Sequence, residues 1–148
     1  MAKKIQASFF EADRVLFVGY SRKHATFCTA VRKAFEARGT EVYPVNPGSG
    51  SYDVAVYPGI AEVPANPDLA YVLTGKAITE GLLDQLAAKG VKRVLFNSSM
   101  SADKNTISRA AALGMESAVA CPLMSLGGGF HRFHGFLAGV PKAERARA

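Results

Sequence analysis

The stretch Arg14-Val15-Leu16-Phe17-Val18-Gly19 decides the fold. It is a continuous apolar run rich in β-branched residues, which is typical of a strand buried on both faces of a parallel sheet. Residues 26–38 follow with an apolar stripe at helical spacing, and Gly39 stands where a glycine commonly ends a helix. The segment 41–45 predicts a second strand, which Pro44 is expected to shorten or fray.

The same alternation continues outward along the chain. A short leading helix is predicted over 5–11, a short strand or extended segment over 54–57, further strands over 69–73, 91–96 and 116–120, and helices over 78–89, 103–113 and 129–138. Strands that alternate with helices favour right-handed crossovers and a parallel sheet covered on both faces. We therefore expect one α/β domain over residues 1–140, a Rossmann-like three-layer arrangement of about five strands. A polar tail is expected over 141–148.

Composition sets the class of protein. The chain has 148 residues, of which 49% are hydrophobic and 20% charged, so a single globular domain is expected. No apolar run approaches the roughly 20 residues that a membrane-spanning helix needs, and no signal peptide is evident at the start. Two cysteines 93 positions apart fit reduced thiols better than a disulfide framework. The expected location is the cytoplasm, with no membrane partner.

The charge is unevenly distributed. The net charge is +6; by sequence count it is +5 over residues 1–38, −5 over 39–88 and +6 over 89–148. No more than two Lys or Arg residues are adjacent, and no zinc-finger or RNA-recognition motif is present. A nucleic-acid partner is therefore not expected, whereas a small phosphorylated ligand would need only two or three of these cations.

The residues after the first strand could bind a phosphate. In parallel sheets ligands sit beyond the carboxyl ends of the strands, and Gly19-Tyr20-Ser21-Arg22-Lys23-His24 follows the first of these ends. The dinucleotide fingerprint fails, because Ser21 and His24 stand where its second and third glycines would be. A tight turn, a hydroxyl, cations and a helix N-terminus remain, and these suit a phosphate group. The alternative is that Ser21 or Thr26 simply caps the helix.

The end of the second strand narrows the ligand class. An NAD site usually has an acidic residue there for the ribose hydroxyls, but this chain has Val45-Asn46-Pro47. Without a carboxylate, a ribose carrying a 3′- or 2′-phosphate is tolerated, as in coenzyme A or NADP. The residues themselves do not choose between the two.

Several blocks occur in order along the chain: Val18-Gly19-Tyr20-Ser21-Arg22, Val42-Tyr43-Pro44-Val45-Asn46-Pro47, Pro67-Asp68-Leu69, Gly90-Val91-Lys92-Arg93-Val94-Leu95, Cys121-Pro122-Leu123-Met124 and His131-Arg132-Phe133-His134. Together these blocks resemble the small stand-alone CoA-binding proteins. The domain of that family is similar to the nucleotide-binding part of the succinyl-CoA synthetase α subunit. The resemblance covers nearly the whole chain and implies a Rossmann-like domain that binds coenzyme A or an acyl-CoA without catalysis of its own.

The resemblance also implies roles for individual residues. It assigns the pyrophosphate to Gly19, Tyr20, Ser21 and Arg22, and the adenosine to Val45, Asn46 and Pro47. Thr74 and Lys76 would flank the diphosphate or the start of the pantetheine arm, with Asn97 and Ser98 further along that arm. No catalytic residue and no metal ligand are predicted.

Other interpretations remain open. A small NADP-binding oxidoreductase or a thiol-dependent CoA transferase or redox enzyme is the main alternative, the latter through Cys121. Cys121, His131 and His134 have spacing that could hold a metal, although the two histidines more simply flank a packing stripe. Cys28, near a helix start, is either a low-pKa thiol or core filler, and core filler is favoured. A homodimer through the last helix is possible.

Overall fold

The computed structural model describes residues 7–48, 52 and 54–123. The strands are β1 (Arg14–Val18), β2 (Glu41–Val45), β3 (Leu69–Val72), β4 (Arg93–Phe96) and β5 (Glu116–Val119). The α-helices of the described residues are α1 (Ala25–Glu36), α2 (Lys76–Ala88) and α3 (Lys104–Ala112), and short 3-10 helices span Ala7–Phe10 and Ile60–Glu62. Apart from the segment 54–57, each predicted strand and helix in this part of the chain is present, and the described ends differ from the predicted ones by at most two residues.

The strands form one parallel sheet in the order β2-β1-β3-β4-β5. The register pairs Val18 of β1 with Val45 of β2 on one side and with Val72 of β3 on the other. All three strands therefore end at the same level. This architecture confirms the predicted Rossmann-like α/β fold.

Apolar side chains cover both faces of the sheet, as the unbroken hydrophobic strands predict. On one face, Phe17 and Tyr71 pack with Phe35 of α1 and with Phe10. On the other face, the alternate strand residues pack against α2 and α3; this group includes Leu16, Val18, Ala70, Val72, Leu83, Leu86 and Ala110. The helices thus lie on opposite faces and all begin at the carboxyl edge of the sheet.

The strand β2 continues through Pro44 instead of fraying before it, so that expectation was wrong. The carbonyl of Pro44 accepts a hydrogen bond from the amide of Tyr57 at 2.8 Å on the side away from β1. The N and C=O of one strand residue face the same side, so the proline nitrogen, which has no hydrogen, also faces away from β1. The segment 54–57 forms no strand and contributes one bridge, between Tyr57 and Val45.

Some predictions concern residues outside the described part of the chain. These are the helix over 129–138, the tail over 141–148, the start of the leading helix, and the blocks containing Met124, His131 and His134. Among the described residues, no helix is both long and apolar enough to cross a bilayer.

Candidate functional site

The candidate site is the topological switch point of the sheet, at the carboxyl edge between β1 and β3. The chain leaves β1 toward β2 on one side and returns to β3 on the other, so this is the point where the strand order reverses and where ligands of such folds bind. Gly19 follows β1 with a φ of +95°, and a Cβ there would lie 3.1 Å from the backbone nitrogen of Thr74. Only glycine combines this backbone angle with so close an approach.

The backbone of the first loop is tied to β2. The carbonyl of Val45 accepts hydrogen bonds from the amides of Gly19 at 3.0 Å and Tyr20 at 3.2 Å. These two amides therefore shape the loop and are already engaged. Any part that Gly19 and Tyr20 play at the site comes from backbone position, not from donating these N–H groups.

Ser21 forms a turn and does not cap the helix. Its hydroxyl oxygen accepts a hydrogen bond from the amide of Lys23 at 3.1 Å, and its own amide donates to the Cys28 sulfur at 3.4 Å. The residue preceding α1 is His24, whose side chain makes no capping hydrogen bond.

The first turn of α1 presents unpaired donors. Within the described part of the chain, the amides of Ala25, Thr26 and Phe27 have no acceptor, and the first helical bond runs from Cys28 to His24. The side chains of His24, Ala25 and Thr26 are exposed. A helix start with open amides and a partial positive charge is suited to an anion.

Tyr20 anchors this loop in the core. Its side chain is 2% exposed, and its ring packs edge-on against Phe17 with centroids 4.9 Å apart. The hydroxyl accepts a hydrogen bond from Nε of the buried Arg32 at 3.1 Å. Arg32 in turn donates through Nη1 to both carboxylate oxygens of Glu36, at 3.0 and 3.2 Å. The ring contact with Phe17 and the hydrogen bond from Arg32 therefore fix the start of the loop.

Asn46 joins the ends of β1 and β2. Its Nδ2 donates to the carbonyl of Tyr20 at 2.7 Å, and its Oδ1 accepts from the amide of Gly48 at 2.7 Å. Both ends of the side-chain amide are thus used within the protein. Pro47 beside it is exposed. The uncharged residue at the end of β2 is therefore Asn46, and its side chain links the loop after β1 to the loop after β2.

Thr74 and Lys76 follow β3, on the opposite side of the switch point from β2, and Thr74 lies next to Gly19 of the first loop. The Thr74 hydroxyl is 2.8 Å from the hydroxyl of Thr79 on α2. Lys76 begins α2, and its ammonium group is 3.5 Å from a carboxylate oxygen of Asp103, with about half of the side chain exposed. Lys76 is therefore a cation on this side of the site, as the sequence indicated, and it forms an ion pair with Asp103.

Asn97 and Ser98 follow β4, one strand further from the switch point. The Oδ1 of Asn97 accepts a 2.6 Å hydrogen bond from the hydroxyl of Tyr71. Burial, and then the nearby Cys121 and Cys28 thiols, raise the pKa of this phenol, so Tyr71 stays protonated and acts as a donor. The Ser98 hydroxyl oxygen accepts from the amide of Met100 at 3.1 Å.

Tyr52 was not predicted, because an aromatic residue in a Gly- and Ser-rich loop carries no positional signal. Its ring centroid lies 6.1 Å from that of Tyr20. The guanidinium carbon of Arg22 lies 5.9 Å from the same Tyr52 centroid, within the range of a cation–π contact. The structure thus brings the loop after β2 against the first loop through this ring.

The thiols differ in accessibility. Cys28 is completely buried, and burial raises its pKa above the ordinary value against the opposing effect of the Ser21 amide. It is core filler, as favoured from the sequence. Cys121, after β5, is partly exposed. In the described part of the chain, no three His, Cys, Asp or Glu side chains come together as metal ligands.

Comparison with known families identifies one match. A family model described as CoA binding domain matches residues 13–127, which include all five strands. A search of curated proteins finds no sequence match.

Solved structures share the fold at low sequence identity. A hypothetical protein from Pyrococcus horikoshii OT3 has 21% identity and a TM-score of 0.67, over 89% of this chain and 88% of that one. The cell-free ID.343 protein from Thermus thermophilus has 15% identity and a TM-score of 0.68, over 86% and 93%. The dinucleotide-forming acetyl-coenzyme A synthetase 1 of Ca. Korarchaeum cryptofilum has 21% identity and a TM-score of 0.62, over 80% of this chain but 28% of that larger one.

Proposed function

Because the chain belongs to the CoA binding domain family, we propose that it binds coenzyme A, or an acyl-CoA, at the carboxyl edge of its sheet. Family membership is the observation that carries this proposal. The ligand extends along the edge from β2 past β4, and the protein holds it without chemistry of its own.

The diphosphate belongs at the start of α1. The amides of Ala25, Thr26 and Phe27 have no acceptors among the described residues, and no acidic side chain caps this helix. The Ser21 hydroxyl, which accepts from Lys23, retains its own hydrogen for a phosphate oxygen. Oriented amides and a hydroxyl at a helix start complement a charged diphosphate.

The adenosine belongs beyond β2. Val45, Asn46 and Pro47 end this strand, and no carboxylate among them would repel a phosphorylated ribose. Asn46 contributes by fixing the Tyr20 carbonyl and the turn at Gly48, so the border of this pocket is rigid.

The pantetheine arm extends the other way, past Thr74 and Lys76 toward Asn97 and Ser98. Neighbouring strands are about 4.8 Å apart, so β4 lies about 10 Å from β1. An extended pantetheine arm is roughly 15 Å long by ordinary bond geometry, so it reaches past the end of β4. Its thiol, or an acyl group on it, would then lie near the β5 side of the edge.

Binding without chemistry agrees with how the polar groups of this edge are used. Asn46, Thr74, Asn97 and Ser98 all make hydrogen bonds within the protein. The thiol nearest the first loop, Cys28, is buried with a raised pKa, and a protonated thiol is a poor nucleophile.

Calorimetric titration with CoA tests the proposal, with NADP titrated in parallel. We expect saturable binding of CoA and weaker binding of NADP. Ser21→Asp places a carboxylate beside the α1 amides and should weaken CoA binding about tenfold or more. Ser108→Asp makes the same change at an exposed position on α3 and should have no effect. Absence of both heat and thermal shift at millimolar CoA would contradict the proposal.

A further inference from the structure

The loop that follows β2 lacks a cation for the ribose end of the ligand. Residues 46–59 contain no Lys or Arg and one acid, Asp53. Coenzyme A carries a 3′-phosphate on the ribose, and this phosphate is the group that distinguishes it from dephospho-CoA. A pocket that recognises this group therefore needs a cation supplied from another part of the chain.

Among the described residues, Arg22 is a cation in contact with this loop. Its guanidinium carbon lies 5.9 Å from the centroid of the Tyr52 ring, and Tyr52 belongs to the segment after β2. The charge of Arg22 is therefore held on the β2 side of the first loop, where the adenosine is proposed to lie. The resemblance had assigned Arg22 to the diphosphate, which the Ser21 hydroxyl and the α1 amides can serve without it.

A continuous set of contacts fixes the position of Tyr52. Its ring lies 6.1 Å from that of Tyr20, and the Tyr20 hydroxyl accepts a hydrogen bond from the buried Arg32, which is itself paired with Glu36. Tyr52 thus packs against a residue that is held in the core, and its ring also contacts Arg22. A long, exposed arginine side chain loses conformational entropy on binding a ligand, and prior contact with a ring reduces that loss.

We infer that Arg22 recognises the 3′-phosphate of the ligand, with Tyr52 as the residue that positions it, and that this pair gives the site its preference for CoA over dephospho-CoA. The inference rests on the proposed function and deepens it. Arginine suits this role because its planar guanidinium can bind a phosphate through two hydrogen bonds while it stacks on an aromatic ring.

Calorimetric titration of each variant with CoA and with dephospho-CoA tests the inference. The wild type should bind CoA about tenfold or more tightly than dephospho-CoA. Arg22→Gln should abolish this preference by weakening CoA and leaving dephospho-CoA nearly unchanged. Tyr52→Leu should reduce the preference in the same direction, and Tyr52→Phe, which retains the ring, should preserve it.

Lys23→Gln is the matched control, because it removes the same charge from the same loop, and Lys23 forms no cation–π contact within the described part of the chain. It should leave the ratio of the two affinities unchanged. A thermal melt of each variant checks folding, and the exposed Arg22→Gln change keeps the test valid if Tyr52→Leu fails to fold. Equal losses of affinity for CoA and dephospho-CoA in Arg22→Gln, or loss of the preference for CoA in Lys23→Gln, would overturn the inference.

The wild type separates this inference from the proposed function. Equal binding of CoA and dephospho-CoA would overturn the inference and leave the proposed function standing, whereas binding of neither ligand would overturn the proposed function.

Discussion

Helices α1 and α3 both begin at the carboxyl edge of the sheet, but only the first turn of α3 has a side-chain cap that accepts a hydrogen bond from its backbone amides. At α3, Asp103 accepts from the amide of Thr106 at 3.0 Å, and the Thr106 hydroxyl accepts from the amide of Asp103 at 3.2 Å. At α1, His24 provides no such cap, and the first amides have no acceptor among the described residues. The start of α3 is therefore capped, whereas the starts of α1 and of α2, which lie beside the switch point, have no side-chain cap.

The largest expected effect comes from the turn that positions the open helix. Gly19→Ala would force a left-handed backbone angle on alanine and bring its Cβ to 3.1 Å from the Thr74 nitrogen. The two costs together should lower the free energy of unfolding by about 3 kcal/mol. Urea denaturation measures this. Gly114→Ala, at a φ of +87° with nothing within 4 Å, should cost only about 1 kcal/mol. Equal losses would show that the close approach to Thr74 is unimportant.

The second prediction makes α1 resemble α3. His24→Asp supplies the missing cap, which should stabilise the protein by about 1 kcal/mol and weaken CoA about tenfold, because a carboxylate then occupies the anion position. Thermal melts and calorimetry give the two changes. His24→Ser caps without charge and should stabilise similarly with a smaller loss of affinity. A gain in stability with unchanged CoA affinity would place the diphosphate elsewhere.

The third prediction concerns the closed helix and pH. Hydrogen bonds from the amide and hydroxyl of Thr106, together with Lys76, lower the pKa of Asp103 below its ordinary value. A carboxyl group with a lower pKa in the folded state stabilises the fold above its unfolded pKa, near 4, and that stability disappears as pH falls through the folded pKa. The melting temperature of wild type should thus fall more steeply below about pH 4 than that of Asp103→Asn. Parallel acid profiles would contradict this.

The smallest expected effect is at Lys76, which lies between the two helix starts. Lys76→Gln removes an exposed ion pair with Asp103 and should change the melting temperature very little. CoA affinity should fall about threefold, since the charge is half-exposed and screened. Lys104→Gln, at an exposed position on α3, serves as the control for net charge. An effect of Lys104→Gln equal to that of Lys76→Gln would mean that only the overall charge matters.

The sequence allowed most of the architecture to be predicted. Apolar runs such as Val15–Val18 and glycines such as Gly39 and Gly114 are local signals, and each corresponds to a strand or a helix end in the structure. The effect of Pro44 was predicted wrongly because a strand tolerates a proline only where the proline nitrogen faces away from its neighbour, as in the edge strand β2. No local sequence pattern gives the order of strands in a sheet.

The site was less predictable for the same reason. The positions that meet at the switch point could be predicted, because the carboxyl ends of parallel strands share one edge. The hydrogen bonds that their polar groups make could not, because the partners are distant in sequence. The Val45 carbonyl accepts hydrogen bonds from the amides of Gly19 and Tyr20, which lie 25 or more positions earlier in the chain. The side-chain amide of Asn46 donates to the Tyr20 carbonyl. Tyr52 could not be predicted as a site residue from the sequence, because only its contacts with the Arg22 and Tyr20 side chains connect it to the first loop.

The proline of β2 also affects how this sheet can associate with other chains. An outer strand usually offers a row of donors and acceptors to which a foreign strand can add. At Pro44 the donor is missing, and its carbonyl is already occupied by the amide of Tyr57, while the carbonyl of Tyr57 is taken by the amide of Asn46. These features disfavour the addition of a foreign strand at the carboxyl end of β2.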